Sequence, residues 1–127
     1  TKTELRIIDD QVGAPTGAEL IADATALAIV GYTSAKKGIY HLAAKGYTSW
    51  HDYALYVFAE ARQLGVELKV DTECVVAVAS DEFVTAAKRP KNSRLACRKI
   101  EDTFGITLPE WQIGVKRTLT ELVDMSS

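Results

Sequence analysis

The spacing of apolar residues changes several times along this 127-residue chain, and each change marks an element. Glu4-Leu5-Arg6-Ile7-Ile8 reads as a short strand. Further on, Leu20, Ile21, Ala24, Leu27 and Ala28 fall at helical intervals. They predict a helix from about Gly17 to about Val30, with Gly31 as its stop. Between strand and helix lies a polar loop in which Gly13 permits unusual backbone angles and Pro15 fixes one. Thr16 is placed to cap the helix, and Glu19, three residues on, completes a capping box.

The pattern continues with a polar loop over Thr33 to Lys37 and a strand over Gly38-Ile39-Tyr40-His41-Leu42-Ala43. Thr48 or Ser49 then caps a second helix, from about Trp50 to Leu64. Trp50, Ala54, Val57, Phe58 and Ala61 share one face of it, and Gly65 ends it. Leu68 to Val70 and Cys74 to Ala79 read as short strands on their β-branched content. Ser80 to Phe83 is a turn or a single helical turn, and Lys88 to Leu95 a basic, proline-bearing loop. A short helix over Arg98 to Phe104 stops at Gly105. The last helix opens at Leu108-Pro109-Glu110-Trp111 with Pro109 in its first turn. Trp111, Val115, Leu119 and Leu122 form the stripe that docks on the core, and Met125 to Ser127 should fray. The sum is an α/β fold, with helices packed on short strands.

Composition narrows the class. Hydrophobic residues make up 47% and charged residues 25%, ordinary for one globular domain over residues 1–127. A net charge of −2 and a pI near 5.7 supply no basic field for nucleic acid or an anionic membrane. Cys74 and Cys97 match neither a metal spacing nor a disulfide framework, and suit small buried or half-buried residues in a reducing, cytoplasmic setting. No apolar run is long enough to span a membrane, and no signal peptide is visible. The chain opens at Thr1 in what reads as mid-fold, so a fragment is expected.

Candidate chemistry concentrates in two places. Arg89, Lys91 and Arg94 gather positive charge, with Asn92 and Ser93 as neutral donors beside them. Arginine can clasp a phosphate with two parallel N–H bonds, so a diphosphate suits this loop; a solvated basic turn has the same composition. The loop from Asp9 to Glu19 is the second place, since the N–H groups of a helix start can hold an anion. Tyr32 and Lys36 spell a Tyr-x-x-x-Lys spacing, but Gly31 and the Thr33-Ser34 pair put it in a loop, where the two side chains do not share a helix face. Ser49, His51 and Asp52 hold the residue types of a hydrolytic triad, yet near neighbours at a helix start do not converge, and capping is the better reading. His41 reads as a structural strand residue.

Four runs together resemble the dTDP-4-dehydrorhamnose reductase family of extended short-chain dehydrogenase/reductases. They are Asp10-Gln11-Val12-Gly13-Ala14-Pro15-Thr16, Gly38-Ile39-Tyr40-His41-Leu42, Arg89-Pro90-Lys91-Asn92-Ser93, and Leu108-Pro109-Glu110-Trp111-Gln112-Ile113-Gly114-Val115-Lys116-Arg117. The resemblance runs from about Arg6 to Val123 and implies the C-terminal, substrate-binding part of such an enzyme. It implies reduction of dTDP-4-dehydro-L-rhamnose to dTDP-L-rhamnose, with Arg89, Asn92, Ser93, Gln11 and Thr16 on the substrate. NADPH or NADH would be held by an N-terminal Rossmann domain that this chain lacks, since it has neither a Gly-rich turn nor a helical Tyr-x-x-x-Lys. The chain alone should therefore be inert, with no catalytic residue of its own, and its residues 1–31 are candidates for the edge of that missing domain's sheet. An apolar patch should be exposed, and homodimer formation is one way to cover it. Glu19 and Glu121 match glutamates that bind Mg2+ at a dimer interface in some members; a helix-start residue and an exposed helix residue is the preferred reading. The alternatives are a non-catalytic reductase-like regulatory subunit, such as that of methionine adenosyltransferase, and a stand-alone nucleotide-sugar-binding or dimerisation module.

Overall fold

The computed structural model describes residues 4–127, so residues 1–3 of the opening segment lie outside the described residues. Strand β1 (Leu5–Ile8) pairs in parallel with β4 (Val75–Val78), in register from Leu5 opposite Val75 to Ile8 opposite Val78. Strand β2 (Val12–Gly13) pairs antiparallel with β3 (Thr48–Ser49). Helix α1 (Ala18–Val30) lies between β2 and β3 in sequence, and α2 (Trp50–Gln63) follows β3 directly. Helices α3 (Arg98–Phe104) and α4 (Trp111–Ser126) complete a mixed α/β fold in which α2 packs against β1, β3, β4 and α4.

One part of the core joins Ala24 of α1 to Ile100 of α3 and to Ile106 and Leu108 beyond it, with Leu20, Tyr40, Leu42 and Phe104 packed alongside. The Phe104 and Tyr40 rings meet at 5.2 Å, and each carries an ammonium: Lys36 lies 5.3 Å from Phe104 and Lys99 lies 4.7 Å from Tyr40. Both amines also donate to backbone carbonyls, Lys36 to Gly31 and Lys99 to Ile39. A second region gathers around Trp111, where Tyr53 and Tyr56 of α2 stand edge-on to the indole. Helix α1 buries only Ala24 and leaves Ile21, Leu27, Ile29 and Val30 exposed, distributed around the helix.

Local signals hold where the partner is local. Ser49 caps α2 by accepting from the Asp52 N–H at 3.0 Å. Gly65 and Gly105 follow α2 and α3 with φ of +83° and +63°. Ser80–Glu82 is a single 3-10 turn. Thr16 does not cap α1: the N-cap is Gly17, with no side-chain bond. The Thr16 hydroxyl instead donates to the Ala14 carbonyl and accepts from the Ala44 N–H, each at 3.0 Å, tying the loop to the segment before β3.

Other expectations change for identifiable reasons. Residues 38–43 form no strand, although Tyr40 and Leu42 are half-buried while Ile39 and His41 are exposed. The alternation of a strand is there, but among the described residues no neighbour supplies the ladder that would make it one. The run from Leu68 to Val70 is likewise unpaired, with Lys69 exposed between its two apolar residues. Strand β4 is shorter than predicted because Cys74 ends one 3-10 turn and Ala79 precedes the next. Helix α4 starts at Trp111, with Pro109 outside it. The Lys45 N–H donates to the Pro109 carbonyl at 2.8 Å and the Trp111 N–H to the Lys45 carbonyl at 3.0 Å, so this stretch is extended before the helix begins. On the docking stripe Leu122 is exposed, because α4 runs on past the core, and the helix holds Met125 and Ser126 rather than fraying.

Asp10 ties three segments together at the end of β1. Its carboxylate accepts from the Ser80 N–H at 3.0 Å and the Ser80 hydroxyl at 2.9 Å, and Lys91 Nζ lies 3.5 Å away. The Ser80 backbone bond, followed by the Ser80 hydroxyl and Lys91, holds the Asp10 carboxyl below the usual aspartate value. A carboxyl depressed on folding contributes stability that is present above its unfolded value, about 3.9, and is lost as pH falls through the folded value. Urea midpoints followed by circular dichroism from about pH 7 to about pH 3 should therefore fall less steeply for Asp10→Asn than for the parent, with the variant less stable at neutral pH. Gly46 has φ +81°, and an added Cβ would lie 2.8 Å from Glu110 Oε2, a flexible group that can move aside. Gly46→Ala should cost about 1–2 kcal/mol in the same measurement, from the left-handed backbone alone.

Candidate functional site

Strand β2 is bonded on both sides. On one side Val12 and Gly13 pair with Ser49 and Thr48. On the other, the Val12 N–H donates to the Lys91 carbonyl and the Ser93 N–H to the Val12 carbonyl, each at 2.8 Å. The basic loop is thus stitched beside β2. Between this loop, the segment from Gln11 to Pro15 and the start of α2 lies a cavity of about 390 Å³. Gln11, Arg89 and Ser93 line it, together with Thr48, Trp50 and Tyr53. Val12, Ala14, Pro15 and Pro90 make much of the remaining wall apolar.

Three of the five residues expected at a substrate therefore meet on one cavity. Thr16 and Asn92 do not line it. Thr16 is engaged with Ala14 and Ala44, as described above. Asn92 Oδ1 accepts from the Arg94 N–H at 3.1 Å and from Arg94 Nε–H at 3.0 Å, which shapes the loop. The Arg94 guanidinium lies 4.7 Å from the Tyr47 ring, anchoring the loop to the residue just before β3. Lys91 is directed to Asp10. Arg89 is exposed, and among the described residues no carboxylate lies within ion-pair distance of it. One guanidinium without a counter-ion, with hydroxyls and an amide on a mainly apolar wall, suits a ligand that is anionic at one end and less polar elsewhere.

The start of α1 lines a separate cavity of about 120 Å³, so the helix start and the basic loop do not share one anion site. Glu19, Asp23 and Glu110 border this second cavity with Arg117. Arg117 Nε lies 3.1 Å from Glu121 Oε1, and that bond, helped by the charges of Glu19 and Asp23, pushes the guanidinium pKa up. The carboxylates at this corner thus face a protein cation, and no group of three or more metal-binding side chains gathers among the described residues.

The Tyr32 and Lys36 spacing is placed as expected. Tyr32 is exposed and Lys36 closes a 3-10 turn, so they share no α-helix face. The Ser49 hydroxyl is taken up in capping, as expected, but His51 and Asp52 do meet, with Nδ1 3.3 Å from Oδ1, because adjacent side chains in the first turn can reach each other. His41 is exposed on an irregular segment rather than in a strand, because no ladder forms there. Sequence reasoning missed Thr48, Trp50, Tyr53 and Pro90 as lining residues. A helical projection groups Trp50 with the buried side of α2, but the first turn overhangs the cavity and leaves the indole 55% exposed.

Comparison with known proteins identifies the family that shares this fold. The RmlD substrate binding domain family matches residues 1–124. The dTDP-4-dehydrorhamnose reductase of Shigella flexneri is 50% identical over 125 residues, covering 95% of this chain and 40% of that protein. The protein of the same name from Salmonella typhimurium is 51% identical over 120 residues, covering 93% and 40%. A crystal structure of dTDP-4-dehydrorhamnose reductase from Bacillus anthracis in complex with NADP superposes with a TM-score of 0.78 at 28% identity, over 94% of this chain and 39% of that one. The chain thus spans about two fifths of the length of these relatives. With nearly every residue inside the match and the fold shared with solved relatives, this chain belongs to the RmlD substrate binding domain family.

Proposed function

We propose that this chain forms the nucleotide-sugar side of an NAD(P)H-dependent reductase that converts dTDP-4-dehydro-L-rhamnose to dTDP-L-rhamnose. The observation that carries the proposal is Arg89, without a counter-ion among the described residues, on one cavity with Gln11 and Ser93. On this reading the guanidinium takes two diphosphate oxygens in parallel. The Ser93 hydroxyl and the Gln11 amide supply neutral donors beside it. Asn92, Arg94 and Asp10 act through the loop, holding Arg89 where the diphosphate needs it.

NADPH or NADH, held elsewhere in the reductase, would supply the hydride for the 4-keto carbon. This chain offers no seat for it: no two of its glycines are separated by a single residue, as a dinucleotide-binding turn requires. Its own residues bind and orient the sugar nucleotide and shield one side of it from water. We assign Glu19 and Glu121 to charge pairing with Arg117 rather than to Mg2+, a reading supported by the 3.1 Å contact between Arg117 and Glu121. Burial of exposed apolar residues of α1 in a homodimer and a reducing cytoplasmic setting for the two free cysteines belong to the same proposal.

Calorimetric titration of dTDP-rhamnose into the chain should show one saturable site, weakened as salt rises. Arg89→Ala should weaken it about 10- to 100-fold, the worth of a charge-assisted hydrogen-bond pair. No binding to the parent chain, or equal binding by the variant, overturns the assignment. Mixed with NADPH and the 4-keto sugar nucleotide, the chain alone should give no rhamnose product; turnover would show that it carries its own hydride-handling site.

A further inference from the structure

The aromatic wall of the larger cavity has a role that charge pairing leaves unexplained. Trp50 opens α2 and is 55% exposed, yet its backbone is held from both sides. Ser49, 8% exposed, caps the helix at Asp52 and pairs with Val12 across the small sheet. The indole is also held. It stands against Tyr53 with ring centroids 6.2 Å apart at 73°, and Tyr53 stands against Trp111 at 6.1 Å and 64°. Trp111 is 6% exposed. A chain of edge-on contacts thus runs from the core to the cavity and fixes the terminal ring. Trp50 thus stands half-exposed, with its ring held, on the cavity that Arg89 shares.

We propose that Trp50 is the stacking platform for the pyrimidine base of the bound nucleotide, an inference that rests on the sugar-nucleotide reading above. The wall beside it favours a base over a sugar. Val12, Ala14, Pro15 and Pro90 offer no side-chain hydrogen bonds. A sugar with several hydroxyls would leave them unpartnered there, whereas a pyrimidine has few polar atoms and a flat face. Arg89 then takes the diphosphate and Trp50 the base, which makes Trp50 the residue that separates a nucleotide from a bare phosphate ester.

The test is a titration of the chain with dTDP, inorganic diphosphate and rhamnose 1-phosphate, read by calorimetry and tryptophan emission. Stacking on Trp50 should quench emission with dTDP and not with diphosphate, while the buried Trp111 stays silent. Trp50→Phe should abolish the quench and keep affinity within about threefold, since a ring face remains. Trp50→Ala should weaken dTDP about 10- to 100-fold and leave diphosphate affinity unchanged. Its circular dichroism should match the parent, because the residue is exposed. The inference is overturned if Trp50→Ala binds dTDP as the parent does, weakens diphosphate equally, or weakens rhamnose 1-phosphate more than dTDP. If the parent binds diphosphate and dTDP equally well, the base platform fails and the diphosphate reading of Arg89 stands. If it binds neither, both fail.

Discussion

Strand β2 has a partner on both of its edges, and the rest of the site hangs from it. One edge meets Ser49, and the other meets Lys91 and Ser93. A strand of two residues has little stability of its own, so it persists because each neighbour fixes the other. Through Val12, the cap of α2, the loop after β1 and the basic loop occupy one place. Remove that double pairing and Arg89, Gln11 and Trp50 have no common surface.

Charge is handled differently at the two cavities. At the smaller one, Arg117 faces Glu121, Glu19 and Asp23, and its positive charge is spent inside the protein. At the larger one, Lys91 is directed to Asp10 and Arg94 is stacked on Tyr47, which leaves Arg89 as the cation on the cavity wall. Of the four basic residues in this loop, Arg89 is thus presented to a ligand while Lys91 and Arg94 serve the loop's own shape. Arginine suits both tasks because its planar group can stack and can also fork onto oxygens.

What could be read from the sequence follows the distance to each partner. The ends of α2 and α3 were legible because Ser49, Gly65 and Gly105 act within a few residues of themselves. Thr16 was not, because the N–H it accepts from belongs to Ala44, far along the chain. Residues 38–43 have the right alternation, but a strand exists only beside another strand, and its sequence cannot supply one. Pro109 is well suited to a first helical turn, yet its carbonyl is engaged by Lys45 and the helix waits until Trp111. Within the site, Arg89 and Ser93 were legible from the charge and donors of their loop and Gln11 from a family pattern, while Trp50 was hidden by a helical projection that assumes a whole helix lies on the core.

The corner made by Lys36, Phe104, Tyr40 and Lys99 sets a chemical contrast with the Asp10 clamp. Cations and rings alternate there, and each amine also reaches a carbonyl, so the bonds that join α3 to the extended segment and the turn before it involve no carboxylate. Acid leaves such a corner intact, whereas acylation of its amines would strip both the ring contacts and the carbonyl bonds at once. The Asp10 clamp and this corner are therefore knots that different reagents undo.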